Sequence, residues 1–339
     1  MLTAAKTVIM SLLIGAYTPY WGHTFVAEGN GKVYALRSLA DSSSLCVFEQ
    51  PKHAGEEEFS VTTLDSLGKP LAEVSTVGKH SCHIVLLARQ AVVADYTSGT
   101  LSLFDLTEEG LPLPNPQVIQ YNGSSVHPTR QQSSHIHSST LSPDGKMLIV
   151  ADLGGDCLYR FDVRDGRLLL PEVATISLPA GCGPRHCAFA PEGDYLYVVT
   201  ELSDEVLVYS TADFALQNRY VVNAGNPNGG SHIALSPDGR YLYLSSRVSS
   251  TAGAKRCQVP DGVAVFKRIG GGGALEFLNY LPTGGHPRHF AISCDGKYLV
   301  VACRDGNTVE IYPLDIESGL PGDCCKTIAI DAPVYVGMN

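Results

Sequence analysis

No stretch of this chain carries the three-to-four-residue apolar spacing of a long amphipathic helix. That absence removes a two-domain α/β organisation, which needs helices between its strands. Paired CxxC units are also missing among the ten cysteines (Cys46, Cys82, Cys157, Cys182, Cys187, Cys257, Cys294, Cys303, Cys324 and Cys325), so zinc-type ligation has no support. Several of these cysteines lie inside apolar strand patterns and read as reduced, buried thiols of a cytoplasmic protein. Basic residues are in deficit: 24 Lys and Arg stand against 34 Asp and Glu, a net charge of −10. Neither nucleic acid nor an anionic membrane finds a basic face here. The opening apolar run TVIMSLLIGAY (7–17) is too short to span a bilayer and has no small-x-small cleavage site directly after it, so it reads as a strand. Nothing predicts a subunit interface, and the expectation is a monomer.

What the chain does have is a repeat. Four segments, SHIHSSTLSPDGKMLIVAD, GPRHCAFAPEGDYLYVVTE, GGSHIALSPDGRYLYLSSR and HPRHFAISCDGKYLVVACR, each hold an apolar run, an Asp/Glu-Gly turn and a second run rich in Tyr, Val and Leu. That is the pattern of two antiparallel strands joined by a tight turn. A third strand follows in CLYRFDV (157–163), EVLVYST (205–211), GVAVFKR (262–268) and TVEIYPL (308–314), and a weaker fifth copy begins at Ser81-Cys82-His83. The histidines recur at intervals of 49, 46 and 57 residues. An all-strand repeat of this length predicts a β-propeller, and roughly 48 residues per blade makes seven blades in one domain over residues 1–339. The last two blades must come from the first 78 and last 25 residues, with DAPVYVGMN (331–339) as an inner strand beside residues 6–18, so that pairing of the chain ends closes the ring.

The repeat also predicts where chemistry sits. In each segment a histidine precedes a polar or charged residue by 15 positions: His137 and Asp152, His186 and Glu201, His232 and Arg247, His289 and Arg304. A strand down the channel and a strand back up would return both members to one upper mouth, where Arg185 and Arg288 join them. The turns lie at the other end and read as structural. Four arginines at one mouth of an acidic protein suit an anionic ligand, although each guanidinium could instead brace neighbouring blades against an acid. Glu201 is the one glutamate at a blade-closing position and is a candidate base. His137 is a candidate to share proton transfer. His83, His232 and His289 read as structural, bonded to neighbouring backbone. His135 and His137 form an HxH pair facing one side of a strand, but no third ligand is evident and no metal is expected.

In the motifs IHSSTLSPDGKMLIVADLGGD, GPRHCAFAPEGDYLYVVTELSDEVLVY, SHIALSPDGRYLYLSSR and PRHFAISCDGKYLVVACRDGNTVEIY, the chain resembles the seven-bladed lactonase family of bacterial 6-phosphogluconolactonases and fungal carboxy-cis,cis-muconate cyclases. The resemblance spans residues 79–339 and the start LLIGAYT, while residues 19–78 match poorly. It implies active-site roles for His137, Arg185, Glu201 and Arg247, with no cofactor. His186, Asp152, Arg288, His289, Arg304 and His135 are the expected substrate-binding residues. The implied reaction is hydrolysis of an anionic sugar lactone, with Glu201 as base on water and His137 as acid or hydrogen-bond donor. Arg185 and Arg247 would hold the oxyanion and the substrate's negative group. Two alternatives stand beside it: a cycloisomerase closing a muconate at the same mouth, and a non-catalytic binding propeller. One departure is the insertion after Arg247 (248–262), whose Lys255 and Arg256 are candidates to cover the mouth.

Overall fold

The structure, a computed structural model, describes residues 10–18, 21–38, 41–51, 59–222, 229–248 and 260–338. Alternating and fully apolar runs form antiparallel strands throughout. Gly145, Gly193, Gly239 and Gly296 end the tight turns at φ of 70°, 78°, 70° and 72°, a left-handed conformation that explains the glycine in each Asp/Glu-Gly turn. Asp144 shows the turn's chemistry: its carboxylate accepts from the Ser142 hydroxyl and the Lys146 amide.

Blades 2, 4, 5 and 6 are four-strand ladders and blade 3 carries a fifth, two-residue strand, Arg167–Leu168; the innermost strands of blades 2 to 6 are Ser81–Leu86, Ile136–Leu141, Pro184–Phe189, Gly229–Leu235 and Pro287–Ile292. Each is followed by its neighbour in sequence: Gln90–Asp95, Met147–Asp152, Tyr195–Thr200, Tyr241–Arg247 and Tyr298–Cys303. Blade 1 runs Trp21–Gly29, Lys32–Ser38, Ser43–Glu49 and Ala72–Ser75. Blade 7 is built from both ends of the chain. Pro333–Met338 is its innermost strand and pairs antiparallel with Met10–Thr18, as expected for closure. Its third strand was not expected: Phe59–Thr63 leaves blade 1 between that blade's third and fourth strands and pairs parallel with Met10–Thr18. Such a parallel pair needs a long connection, and no tight-turn signal marks it in the poorly matching region 19–78.

The innermost strands touch one another in turn around the whole ring. Between successive blades lie seven apolar clusters, one per interface, such as Ile149, Leu158, Leu196 and Leu207 between blades 3 and 4. Stability is therefore distributed over interfaces that are each completed by a neighbour. The nine described cysteines are free, with Cys46, Cys157, Cys182, Cys187 and Cys303 buried. Among the described residues no helix is long and apolar enough to cross a membrane. Lys255, Arg256 and the rest of 249–259 lie outside the described residues.

The closing interface is held by Leu12, Ile14, Phe59, Val300, Ile311 and Val336, all buried. Ile14→Ala should lower stability by about 2–5 kcal/mol, whereas Leu216→Ala on an exposed outer strand should stay within about 0.5 kcal/mol. Denaturant midpoints of the two variants check this; equal midpoints would mean that the terminal pairing does not carry the ring.

Candidate functional site

Every innermost strand slips register by an extra residue where it enters the channel. A bulge of this kind re-aims a side chain at the end of a strand. The bulged residues are Thr24, Cys82, His137, Arg185, Ser231, Arg288 and Val334, one per blade. The residues after them are Phe25, His83, Ser138, His186, His232, His289 and Tyr335. Backbone bonds fix the equivalence of the blade-closing positions: Tyr17, Tyr96, Leu153, Glu201 and Arg304 donate to the carbonyls of Ala332, His80, His135, Gly183 and His286.

This alignment corrects two expectations. His137 is equivalent to Arg185 rather than to His186, so Asp152 falls at the position of Thr200, one residue short of the mouth. Asp152 is fully buried, and its oxygens accept from the amides of His135, Gly154 and Gly155 and from the Tyr159 hydroxyl. It holds a turn and has no surface to offer a ligand. His186 and His289 likewise do not line the mouth. They join Phe25, His83, His232 and Tyr335 in a collar of rings across the channel, with centroid spacings of 5.3 Å for His83–His186, 5.1 Å for His186–His232, 3.9 Å for His232–His289 and 4.6 Å for His289–Tyr335. Phe25 closes the circuit at 5.1 Å from Tyr335 and 4.2 Å from His83. Contact with other side chains, stacked for His232–His289 and edge-on for His83–His186 and His186–His232, is what these imidazoles mainly make, although His83 Nδ1 accepts from the Ser139 amide of the next blade at 3.4 Å.

Above the collar the site gathers around one carboxylate. Glu201 Oε2 accepts from Arg185 Nε at 2.9 Å and from Arg247 at 3.1 Å, while Oε1 accepts from Arg130 at 2.5 Å. His137 Nε2 stands 3.9 Å from Oε2, too far for a direct bond and within Coulombic reach. The four residues expected at the reacting centre are thus together. Arg130 was not foreseen: it comes from the aperiodic segment between blades 2 and 3 and also donates to the Tyr96 hydroxyl at 3.1 Å. Tyr96 occupies the Glu201 position of its own blade, a signal that the AVVADY copy did contain. His135 stacks on Tyr96 at 4.5 Å with its Nδ1 3.0 Å from the Tyr96 carbonyl. Arg304 is paired with Asp305, and His286 lies between Arg304 and Arg247. Arg288 reaches Tyr17. Among the described residues no group of three or more His, Cys, Asp or Glu is arranged to hold a metal.

The electrostatics follow from the count. Burial alone would raise the Glu201 carboxyl, but Arg247, Arg185 and Arg130 outweigh it and hold the group well below the usual carboxylate range. One carboxylate cannot satisfy three guanidiniums. Burial, with repulsion from neighbouring arginines, pushes Arg247 down to about 9 and Arg185 to about 10 despite their shared acid. Positive charge is in excess, and an added anion relieves it. His137 is held neutral by burial and by the Arg185 charge.

A hydrogen-bond chain links this centre to the collar. Arg185 Nη1 approaches His186 Nε2 at 3.1 Å, and an arginine can only donate. His186 therefore carries its proton on Nδ1 and donates to His232 Nδ1 at 2.9 Å. The chain requires neutral imidazoles, and burial favours the same state: His83 and His289 are pushed down to about 3.

Comparisons with known proteins agree with this architecture. A family model described as a seven-bladed β-propeller lactonase matches residues 28–338. A 6-phosphogluconolactonase of Formosa agariphila is 32% identical over 248 residues, 71% of this chain and 69% of that protein. Another, of Bacillus subtilis, is 28% identical over 325 residues, 92% of this chain and 86% of that protein. A crystal structure from Bacteroides fragilis superposes with a TM-score of 0.85 at 27% identity and covers 100% of both chains.

The collar generates a pH dependence of stability. Imidazoles that resist protonation when folded but accept it near pH 6.5 when unfolded favour unfolding as pH falls, and the folded state keeps its full advantage above that value. Between pH 6.5 and about 3, His83 and His289 should each remove up to about 1.4 kcal/mol per pH unit. Melting temperature should drop from pH 7 to pH 5, and a flat profile would contradict a neutral collar.

Proposed function

The chain belongs to the seven-bladed β-propeller lactonase family, and from that premise we propose that this lactone hydrolase acts on an anionic sugar lactone of the 6-phosphogluconolactone kind, with Glu201 as the proton acceptor. The observation that carries the reading is the cluster of Arg130, Arg185 and Arg247 on the single Glu201 carboxylate. Relatives named 6-phosphogluconolactonase support the substrate class.

With only its three guanidiniums as partners Glu201 is a weak base, because they stabilise its charge. A substrate that brings negative charge among them competes for the same donors. The carboxylate's basicity then rises toward the useful range when substrate is present, which suits the base to its moment of use. Glu201 removes a proton from water as the water oxygen bonds to the lactone carbonyl carbon. The carbonyl electron pair moves onto its oxygen, where Arg185 and Arg247 stabilise the oxyanion. Collapse re-forms the carbonyl and breaks the ring C–O bond, and the proton on Glu201 passes to the departing alkoxide. The product is the open hydroxy acid, whose carboxyl proton is lost to solvent.

Of the two roles expected for His137, burial favours the donor. An imidazole held neutral has no imidazolium proton to give at pH 7, but its N–H can orient the ring oxygen or the water. No organic cofactor takes part in these steps.

Glu201→Gln should lower kcat for 6-phosphogluconolactone by on the order of a hundredfold or more, with the circular dichroism of the fold unchanged. Rates are corrected for spontaneous hydrolysis, and 3-carboxymuconate serves as the control for ring closure. A variant with wild-type turnover would remove Glu201 from the role.

A further inference from the structure

Arg288 differs from every other guanidinium at the mouth. Arg130, Arg185 and Arg247 share Glu201, and Arg304 grips Asp305 through both oxygens. Arg288 has no acidic partner among the described residues. Its contacts are with Tyr17: the hydroxyl at 3.4 Å, at the outer limit of a hydrogen bond, and the ring face at 5.7 Å from the guanidinium carbon. The ring steadies the guanidinium without neutralising it. The side chain is only partly buried, so part of it remains open to solvent.

Its position is also informative. Arg288 is the bulged residue of blade 6, as Arg185 is of blade 4 and His137 of blade 3. These bulges put side chains of one tier around a single opening. Arg288 is near enough to Arg185, Arg247 and His137 for its charge to oppose further positive charge on each. It stands two blades round from Arg185. A substrate whose carbonyl lies against Glu201 and Arg185 would extend its far end toward blade 6.

We infer that Arg288, held against the Tyr17 ring, is the specificity residue that receives a phosphate or carboxylate carried by the substrate away from its lactone carbonyl. This deepens the proposed function and rests on it. A guanidinium presents paired donors that match two oxygens of such a group, and no carboxylate has to be displaced first. The enzyme therefore separates charged from uncharged lactones at blade 6, and performs the ring opening at blade 4.

The test compares kcat and KM of wild type, Arg288→Met and Arg288→Gln with 6-phosphogluconolactone and with uncharged gluconolactone. Inhibition by inorganic phosphate, with gluconolactone as substrate, gives a second reading in the same proteins. The loss in kcat/KM for the phosphorylated lactone should exceed the loss for gluconolactone by about 30-fold, the worth of one charge-assisted bond, and should lie mainly in KM. The inhibition constant for phosphate should rise by a similar factor. Glutamine preserves polarity and much of the volume, and replaces methionine as the variant where the latter does not fold. Equal losses for the two lactones, or unchanged phosphate inhibition, would overturn the inference while leaving the lactonase reading intact. A wild type inactive on both lactones would overturn the proposed function itself, and this inference with it.

Discussion

The bulge at the channel end of each innermost strand is the constraint on which the site depends. A regular strand alternates its side chains, so neighbouring residues face opposite sides. An inserted residue breaks that alternation and lets two successive side chains serve different tiers of one axis. In blade 4 the pair is Arg185 and His186: one donates to Glu201, the other joins the ring collar beneath. In blade 6 it is Arg288 and His289. In blade 3 the bulged residue is His137 and the next is Ser138, so that blade gives its imidazole to the site and leaves a small residue at collar level. Without the bulges the same residues would be divided between the two faces of each blade.

The collar lies across the channel beneath the site. Six rings and Ser138 fill the axis that seven sheets would otherwise leave open, and the floor they form is largely apolar edge and neutral nitrogen. Above it, desolvation strengthens every interaction of Glu201 with its three guanidiniums. That cluster has too many cations to be explained as a bracing salt bridge, because a brace is most stable when charges match. An imbalance held in place by packing is what the proposed anionic substrate would relieve. The acidic surface of the chain as a whole, at −10, sharpens the contrast between mouth and exterior.

Much of this was legible from residue spacing. The turns, the second and third strands of blades 2 to 6, and closure by the chain ends follow from patterns of apolar residues, and Glu201, Arg185, Arg247 and Arg288 stand where a shared mouth required them. The errors have a physical cause. A constant interval of 15 residues runs from His137 to Asp152 as it does from His186 to Glu201, but SHIHSS places its histidine one step earlier relative to the bulge. Counted from the bulged residues His137 and Arg185, the closing positions are Leu153 and Glu201, but a count anchored on histidine starts one residue later in blade 4 than in blade 3. Asp152 was therefore assigned to the mouth, while Leu153 is its counterpart of Glu201 and the carboxylate ties down a turn. Arg130 was missed for the opposite reason: it arrives from an aperiodic segment, where no spacing predicts its destination. The parallel strand Phe59–Thr63 carries no turn signature that would reveal its partner.

Closure and recognition meet in Tyr17. This residue lies on the amino-terminal strand that completes blade 7, its amide donates to the Ala332 carbonyl, and its ring supports Arg288 of blade 6. Joining the chain ends thus does more than remove two exposed sheet edges. It supplies the aromatic face that orients a guanidinium otherwise free to search many rotamers, whose ordering carries an entropic cost. A substrate group that meets Arg288 meets it already oriented, so more of the interaction remains as affinity. The same strand pairs with Pro333–Met338 on one side and with Phe59–Thr63 on the other. The support for Arg288 thus comes from the next blade, on the strand whose pairing closes the ring.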